Sequence, residues 1–175
     1  LTTSSGPSTV SADATLTVQP TVPVFSTSFI PNIVNREAVT SLQLRINNTS
    51  ESIAVTNLTF NDVLPAGLLV NDPSAVVLTT CGSGVLSVGP NLDTIALSNG
   101  EVLGGGVCTL DIPVVASVAG GITHSAGDLI SASGVSPVAE DSQLSVLPKV
   151  PIYIVSFYPE TVVVDTSVNL NINID

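Results

Sequence analysis

The opening of this chain is written a second time at its end. Residues 1–47 align with residues 129–175 at an offset of 128 positions, without a gap and with 17 identities. Leu1, Ser5, Gly6, Val10, Asp13, Leu16 and Val18 recur as Leu129, Ser133, Gly134, Val138, Asp141, Leu144 and Val146. Pro20, Pro23, Phe29, Pro31, Leu42 and Ile46 recur as Pro148, Pro151, Phe157, Pro159, Leu170 and Ile174. The pairs Phe25/Tyr153, Leu44/Ile172 and Glu37/Asp165 keep the chemistry. A fixed period of this length marks a tandem array whose unit is one folded module. Residues 1–20 are expected to be the closing strands of one repeat, residues 21–148 a complete repeat, and residues 149–175 the opening strands of a third.

The complete repeat is long enough to bury a core of its own. Hydrophobic residues make up 44% of the chain and mean hydropathy is +0.56, which argues against disorder. Val, Leu, Ile and Ala dominate, cut into short runs by 13 Gly and 12 Pro, which favours strands over helices. With three Lys plus Arg against 14 Asp plus Glu, the net charge is −11. Such a polyanion repels phosphate backbones and anionic lipid surfaces, so nucleic-acid binding is disfavoured and so is adhesion to a membrane. Residues 102–122 come nearest to a bilayer span, but Asp111, Pro113 and several glycines break them. No signal peptide is recognisable, and Leu1 already lies inside the repeat pattern; the expectation is a leader removed or lying upstream.

Residues 10–18 alternate apolar and polar, as do residues 138–146, and each reads as a half-buried strand. A connector follows in both copies, running through Pro20 and Pro23 in one and Pro148 and Pro151 in the other. Two prolines three apart set φ twice and remove two donors, so the connector is read as stiff and extended. Strands are expected over 24–31, 39–47 and 54–62, near 75–80, 84–88 and 93–98, and over 107–116, 122–133 and 138–147. Leu42, Leu44 and Ile46 should face inward, as should Leu58 and Phe60, and Cys108, Leu110, Ile112 and Val114. Seven to nine short strands with turn signals every 8–12 residues read as an antiparallel β-sandwich. No window has a helical period. Phe25, Phe29, Tyr153 and Phe157 all fall in the first strand after a connector. They are read either as core filler or as the seal between consecutive domains.

Three further strings add a resemblance. They are Phe25-x3-Phe29-x-Pro31, Leu42-x-Leu44-x-Ile46-x-Asn48, and Leu58-x-Phe60-x-Asp62-x-Leu64-Pro65-x-Gly67-Leu68. Together with Thr79-Thr80-Cys81-Gly82, Val107-Cys108-Thr109-Leu110 and the closing Ala14-x-Leu16-x-Val18 strand, they resemble the bacterial conserved-repeat family of surface and secreted proteins. That resemblance implies an Ig-like β-sandwich, a place in a long tandem array, and a structural or adhesive role without a common chemistry.

Cys81 and Cys108 are the strongest local constellation. In a secreted domain two cysteines usually pair; two buried free thiols, or metal or redox work, are the alternatives. His124 is the one histidine and reads as a strand residue with a satisfied ring, because a catalytic triad needs partners that adjacency to Ser125 does not supply. Lys149, the one lysine, could form an isopeptide cross-link, but its counterpart is Thr21. Asp13/Asp141 and Glu37/Asp165 could hold calcium; no dense Asp-x-Asp run supports this, and no cofactor is expected. Asn47, Asn48 and Asn57 each begin an Asn-x-Ser/Thr triplet, read mainly as turn and strand polarity.

The reading is a structural segment of an extracellular stalk or filament, not an enzyme, whose partners are neighbouring repeats or identical chains. The junction residues are expected to be Pro20, Pro23, Phe25, Phe29, Pro148, Pro151, Tyr153 and Phe157. One alternative is a separate-subunit, strand-donating fibre or pilus protein. Another is an adhesin binding through an apolar patch on loops at 68–75 or 84–106.

Overall fold

The computed structural model describes residues 2–4, 6–7, 16, 21–79, 81–138 and 140–174. The strand expected over 10–18 lies outside the described residues except for Leu16, which is exposed coil. Near the amino terminus β1 (Thr2–Thr3) and β2 (Gly6–Pro7) form a minimal hairpin.

The body of the protein is an all-β, Ig-like sandwich. Its first layer contains β3 (Val24–Ile30), β5 (Val39–Asn47), β11 (Val107–Ala116) and β7 (Leu68–Val70), in that order, with β8 (Val77–Thr79) also on β11. Its second layer runs β14 (Gly134–Ser136), β13 (Leu129–Ser131), β6 (Val55–Val63), β10 (Thr94–Val102) and β9 (Val85–Val88). A small third sheet, β12 (Gly120–His124), β15 (Ser142–Leu147) and β4 (Ile33–Asn35), closes one side.

Strict alternation explains the central strands. On β11 every second residue from Cys108 to Ala116 is fully buried, and β5 opposes it in nine register pairs from Val107↔Asn47 to Val115↔Val39. Leu42, Leu44, Ile46, Leu58 and Phe60 face the core as the two-residue period requires. Among the described residues every member of the core lies between Phe25 and Val146.

Among the described residues thirteen strand segments lie between Val24 and Leu147, more than the seven to nine expected. The excess comes from short pieces. The strand expected over 122–133 is two strands in different sheets, β12 and β13. The chain crosses between sheets at Gly127, where a β-carbon would overlap the Asn61 carbonyl oxygen. The strand expected from 138 starts at Ser142, while Val138 makes a single parallel bridge to Phe25. The pairing of β15 with β4 is parallel, in a sandwich whose other named strand pairs are antiparallel. Residues 68–75, expected as a loop, are β7 followed by a 3-10 turn at Pro73–Ala75, because Leu68 and Val70 alternate into the core. Within 84–106 the strands expected near 84–88 and 93–98 are β9 and β10.

Beyond the sandwich, β16 (Tyr153–Tyr158) and β17 (Asn169–Ile174) pair as a hairpin whose residues are all exposed. Its register is that of β3 and β5 shifted by 128. Tyr153↔Ile174 matches Phe25↔Ile46, Phe157↔Leu170 matches Phe29↔Leu42, and the four pairs remaining in β16–β17 agree as well. At the other end Thr2↔Pro7 and Thr3↔Gly6 match Ile130↔Val135 and Ser131↔Gly134.

Candidate functional site

The sandwich has two poles, and the chain enters at one and leaves at the other. At the entry pole the Asn48–Ile53 turn meets the Leu103–Gly106 turn. Asn48 is buried, and its Nδ2 donates to the carbonyls of Ile53 (2.9 Å) and Leu103 (3.2 Å). The amide of Gly105 donates to the Asn48 and Glu51 carbonyls. A β-carbon at Gly104 would overlap the Ser52 backbone, so the two turns are held rigidly together. Thr21, arriving from the connector, donates its hydroxyl to Glu51 Oε1 at 2.6 Å.

The exit pole is built from the Pro31–Ala38 loop, the end of β11 and the end of β15. Arg36 N donates to the Leu147 carbonyl and Glu37 N to that of Ala116. These bonds place Arg36 and Glu37 beside the departing connector. Lys149 Nζ lies 3.4 Å from Glu37 Oε2, and Arg36 Nε lies 3.7 Å from Glu37 Oε1. All three groups are largely exposed, so each pair contributes about 1 kcal/mol at most. A cleft of about 410 Å³ opens here, lined by Arg36, Lys149, Pro151 and Ile152. Two of the three cations of a chain with net charge −11 thus share one cleft. Lys149 meets a carboxylate and not an amide, so the side-chain pair for an isopeptide link to asparagine is absent at this contact.

Cys81 and Cys108 form a disulfide, with Cα atoms 4.9 Å apart. Cys108 lies on β11 in one layer, while the Cys81 carbonyl accepts from Glu101 N on β10 in the other. The bridge therefore pins the 77–101 excursion across the two layers.

The expected junction residues fall in three groups. Pro20 lies outside the described residues. Pro23, Phe25 and Phe29 are buried in their own sandwich, with Phe25 5.8 Å from the Phe60 ring and Phe29 edge-on to His124 at 6.1 Å. Pro148, Pro151, Tyr153 and Phe157 are exposed. Phe25 and Phe29 are thus core, while Tyr153 and Phe157, 128 positions on, are open.

A feature not anticipated is a buried polar chain. His124 Nε2 lies 2.9 Å from Asp62 Oδ2 and Nδ1 lies 3.3 Å from Ser142 Oγ, linking β6, β12 and β15. The Ser142 hydroxyl also donates to the His124 carbonyl at 3.4 Å. The Asp62 and His124 side chains have no exposure. A serine, a histidine and an aspartate are together, and all three are buried. The sequence signal was Asp62 itself, an acid two residues beyond Phe60 on an inward-facing position. A buried carboxyl group demands a hydrogen-bond partner.

Among the described residues no group of three or more His, Cys, Asp or Glu is placed to hold a metal ion. Asp141, Glu37 and Asp165 are exposed, and Asp13 lies outside the described residues. No described helix is long and apolar enough to cross a membrane. Of the three Asn-x-Ser/Thr triplets, Asn48 is structural, Asn47 Oδ1 accepts from Thr49 N at 3.0 Å, and Asn57 is exposed.

No curated protein matches the sequence. Among solved structures the chain is similar to a cohesin module from a Clostridium perfringens ATCC13124 family 33 glycoside hydrolase, at 9% identity and a TM-score of 0.49, covering 74% of this chain and 99% of that one. It is similar to BslA, a bacterial hydrophobin, at 13% identity and a TM-score of 0.49, covering 76% and 99%. It is also similar to the collagen-binding domain from a Staphylococcus aureus adhesin, at 11% identity and a TM-score of 0.45, covering 74% and 99%. The family model of a domain of unknown function, DUF7933, matches residues 23–146, and the chain belongs to that family.

Proposed function

We propose that this protein is a segment of a long extracellular tandem array, a stalk or filament of Ig-like sandwiches. The observation that carries this reading is the repeated register: both flanking pieces pair their strands as the complete repeat does, at the same offset of 128. An opening hairpin with Tyr153, Phe157, Leu170 and Ile172 turned out to solvent gains burial only when the rest of a sandwich covers it. Entry and exit at opposite poles strings such sandwiches in a line. The Pro148 and Pro151 connector limits their relative motion, and each domain adds its own stability and a neighbour contact.

The Cys81–Cys108 bridge supports an oxidising, extracellular setting. It also limits how far the chain extends under load. The role is mechanical and non-catalytic, and burial of the Asp62–His124–Ser142 chain supports that part of the reading. Denaturing electrophoresis of the native, unreduced polypeptide tests it. A mass many times 17.7 kDa supports the array. A mass near that value would favour separate subunits that exchange strands.

A further inference from the structure

We propose that the cleft lined by Arg36, Lys149, Pro151 and Ile152 is a socket for the acidic turn of the next repeat, the counterpart of Asn48–Ile53 with its Glu51 carboxylate. The inference rests on the array reading and specifies the contact between neighbours. One position of the connector makes a side-chain bond in both copies. Thr21 reaches forward to Glu51 of the sandwich that follows it, and its counterpart Lys149 reaches back to Glu37 of the sandwich that precedes it. Shifted by one period, these are the two halves of a single junction. Residue 149 then stands between Glu37 on one side and the carboxylate of the incoming turn on the other.

Charge complementarity favours this occupant. The cleft gathers two of the three cations of an otherwise acidic chain, and Glu37 neutralises only one of them. The turn that would enter is preformed, because Asn48, Gly104 and Gly105 lock it. It sits beside Val24, whose counterpart Ile152 already lines the cleft. Exposed apolar side chains flank both surfaces, Val24, Ile53 and Leu103 at the entry pole and Ile33, Val118 and Leu147 at the exit pole.

The test uses the chain extended beyond Ile174 by a second copy of residues 47–148, which keeps the native connector and continues the 128-residue register. Lys149 remains the only lysine, so a zero-length carbodiimide reports its carboxylate neighbours unambiguously. Peptide mass mapping should show an amide between Lys149 and Glu51 of the second copy, besides the link to Glu37. Arg36→Glu should lower the new link about fivefold and leave the extended chain folded. Cross-linking to Glu37 alone, with both sandwiches folded by calorimetry, would overturn the socket and leave the array standing. A second sandwich that fails to fold would instead count against the hairpin reading. The socket is then tested in the chain ending at Ile152 and followed by residues 25–148, which supplies the sandwich's own hairpin and asks for the same link.

Discussion

Glu37 and Asp165, 128 residues apart, hold the same left-handed backbone, with φ of 68° at the first and 70° at the second. Neither is glycine, and each is followed by a residue whose amide closes the same turn, Ala38 N to Asn35 O and Thr166 N to Val163 O. The turn that leads into β5 is therefore copied in the one that leads into β17.

That identity of backbone makes opposite predictions for stability. A β-branched side chain in the left-handed region costs roughly 1–2 kcal/mol. Glu37→Val should lower the urea midpoint of the sandwich, with Glu37→Gln as the control for lost surface pairing. Asp165→Val should leave that midpoint unchanged, because β16 and β17 stand outside the core cluster. Equal losses would mean that the terminal hairpin belongs to the same cooperative unit.

The Cys81–Cys108 bridge closes a separation of 27 residues. In the chain-entropy model this stabilises by about 3.5 kcal/mol. Reduction, or the double substitution Cys81→Ala with Cys108→Ala, should lower the calorimetric Tm by about 10–15 °C for a domain of this size. The two treatments should agree, and no change in Tm on reduction would remove the bridge as a stabilising element.

Asp62 and His124 form a buried pair. Replacing His124 by Phe leaves the Asp62 carboxyl without its ring partner and should cost about 1–3 kcal/mol. Asp62→Asn keeps an acceptor for Nε2 and should cost less. The double variant Asp62→Leu with His124→Phe should recover most of the loss, because two apolar groups replace two polar ones. Additive losses in that cycle would contradict the pairing.

The 3-10 turn gives a small pH effect. The Ser74 hydroxyl, 2.6 Å from Asp72 Oδ1, and the Ser74 amide at 2.9 Å hold the Asp72 carboxyl below the usual carboxylate range. A depressed folded value stabilises above the unfolded one and is lost as pH falls through the folded one. NMR titration should show the Asp72 midpoint rising towards its ordinary value in Ser74→Ala. An unchanged midpoint would remove the hydroxyl as its cause.

Much of the architecture was legible because it is periodic. On β5 and β11 the alternation runs unbroken, and the observed bounds, 39–47 and 107–116, are those of the pattern. The split at Ser125–Asp128 was not legible, because it depends on Gly127 passing close to Asn61, a contact between residues distant in sequence. The parallel pairing of β15 with β4 is likewise a matter of tertiary placement. At the exit pole Lys149 stood out as a lone lysine, but its partner Glu37 lies 112 positions away and is fixed by a left-handed turn that no local pattern announces. His124 was read as a satisfied ring, and both ring nitrogens do have partners. The acid beside it was missed, because an alternating strand gives no sign of which inward residues meet across sheets.

The terminal hairpin decides whether the repeat is structural or only textual. Hydrogen exchange should be followed on the present chain and on the chain extended beyond Ile174 by a second copy of residues 47–148. In the extended chain the amides of β16 and β17 should slow to the rates of their counterparts in β3 and β5, with Phe157 and Leu170 as protected as Phe29 and Leu42. Amides in β16 and β17 that exchange as fast in the extended chain as in the present one would show that the hairpin does not begin a sandwich.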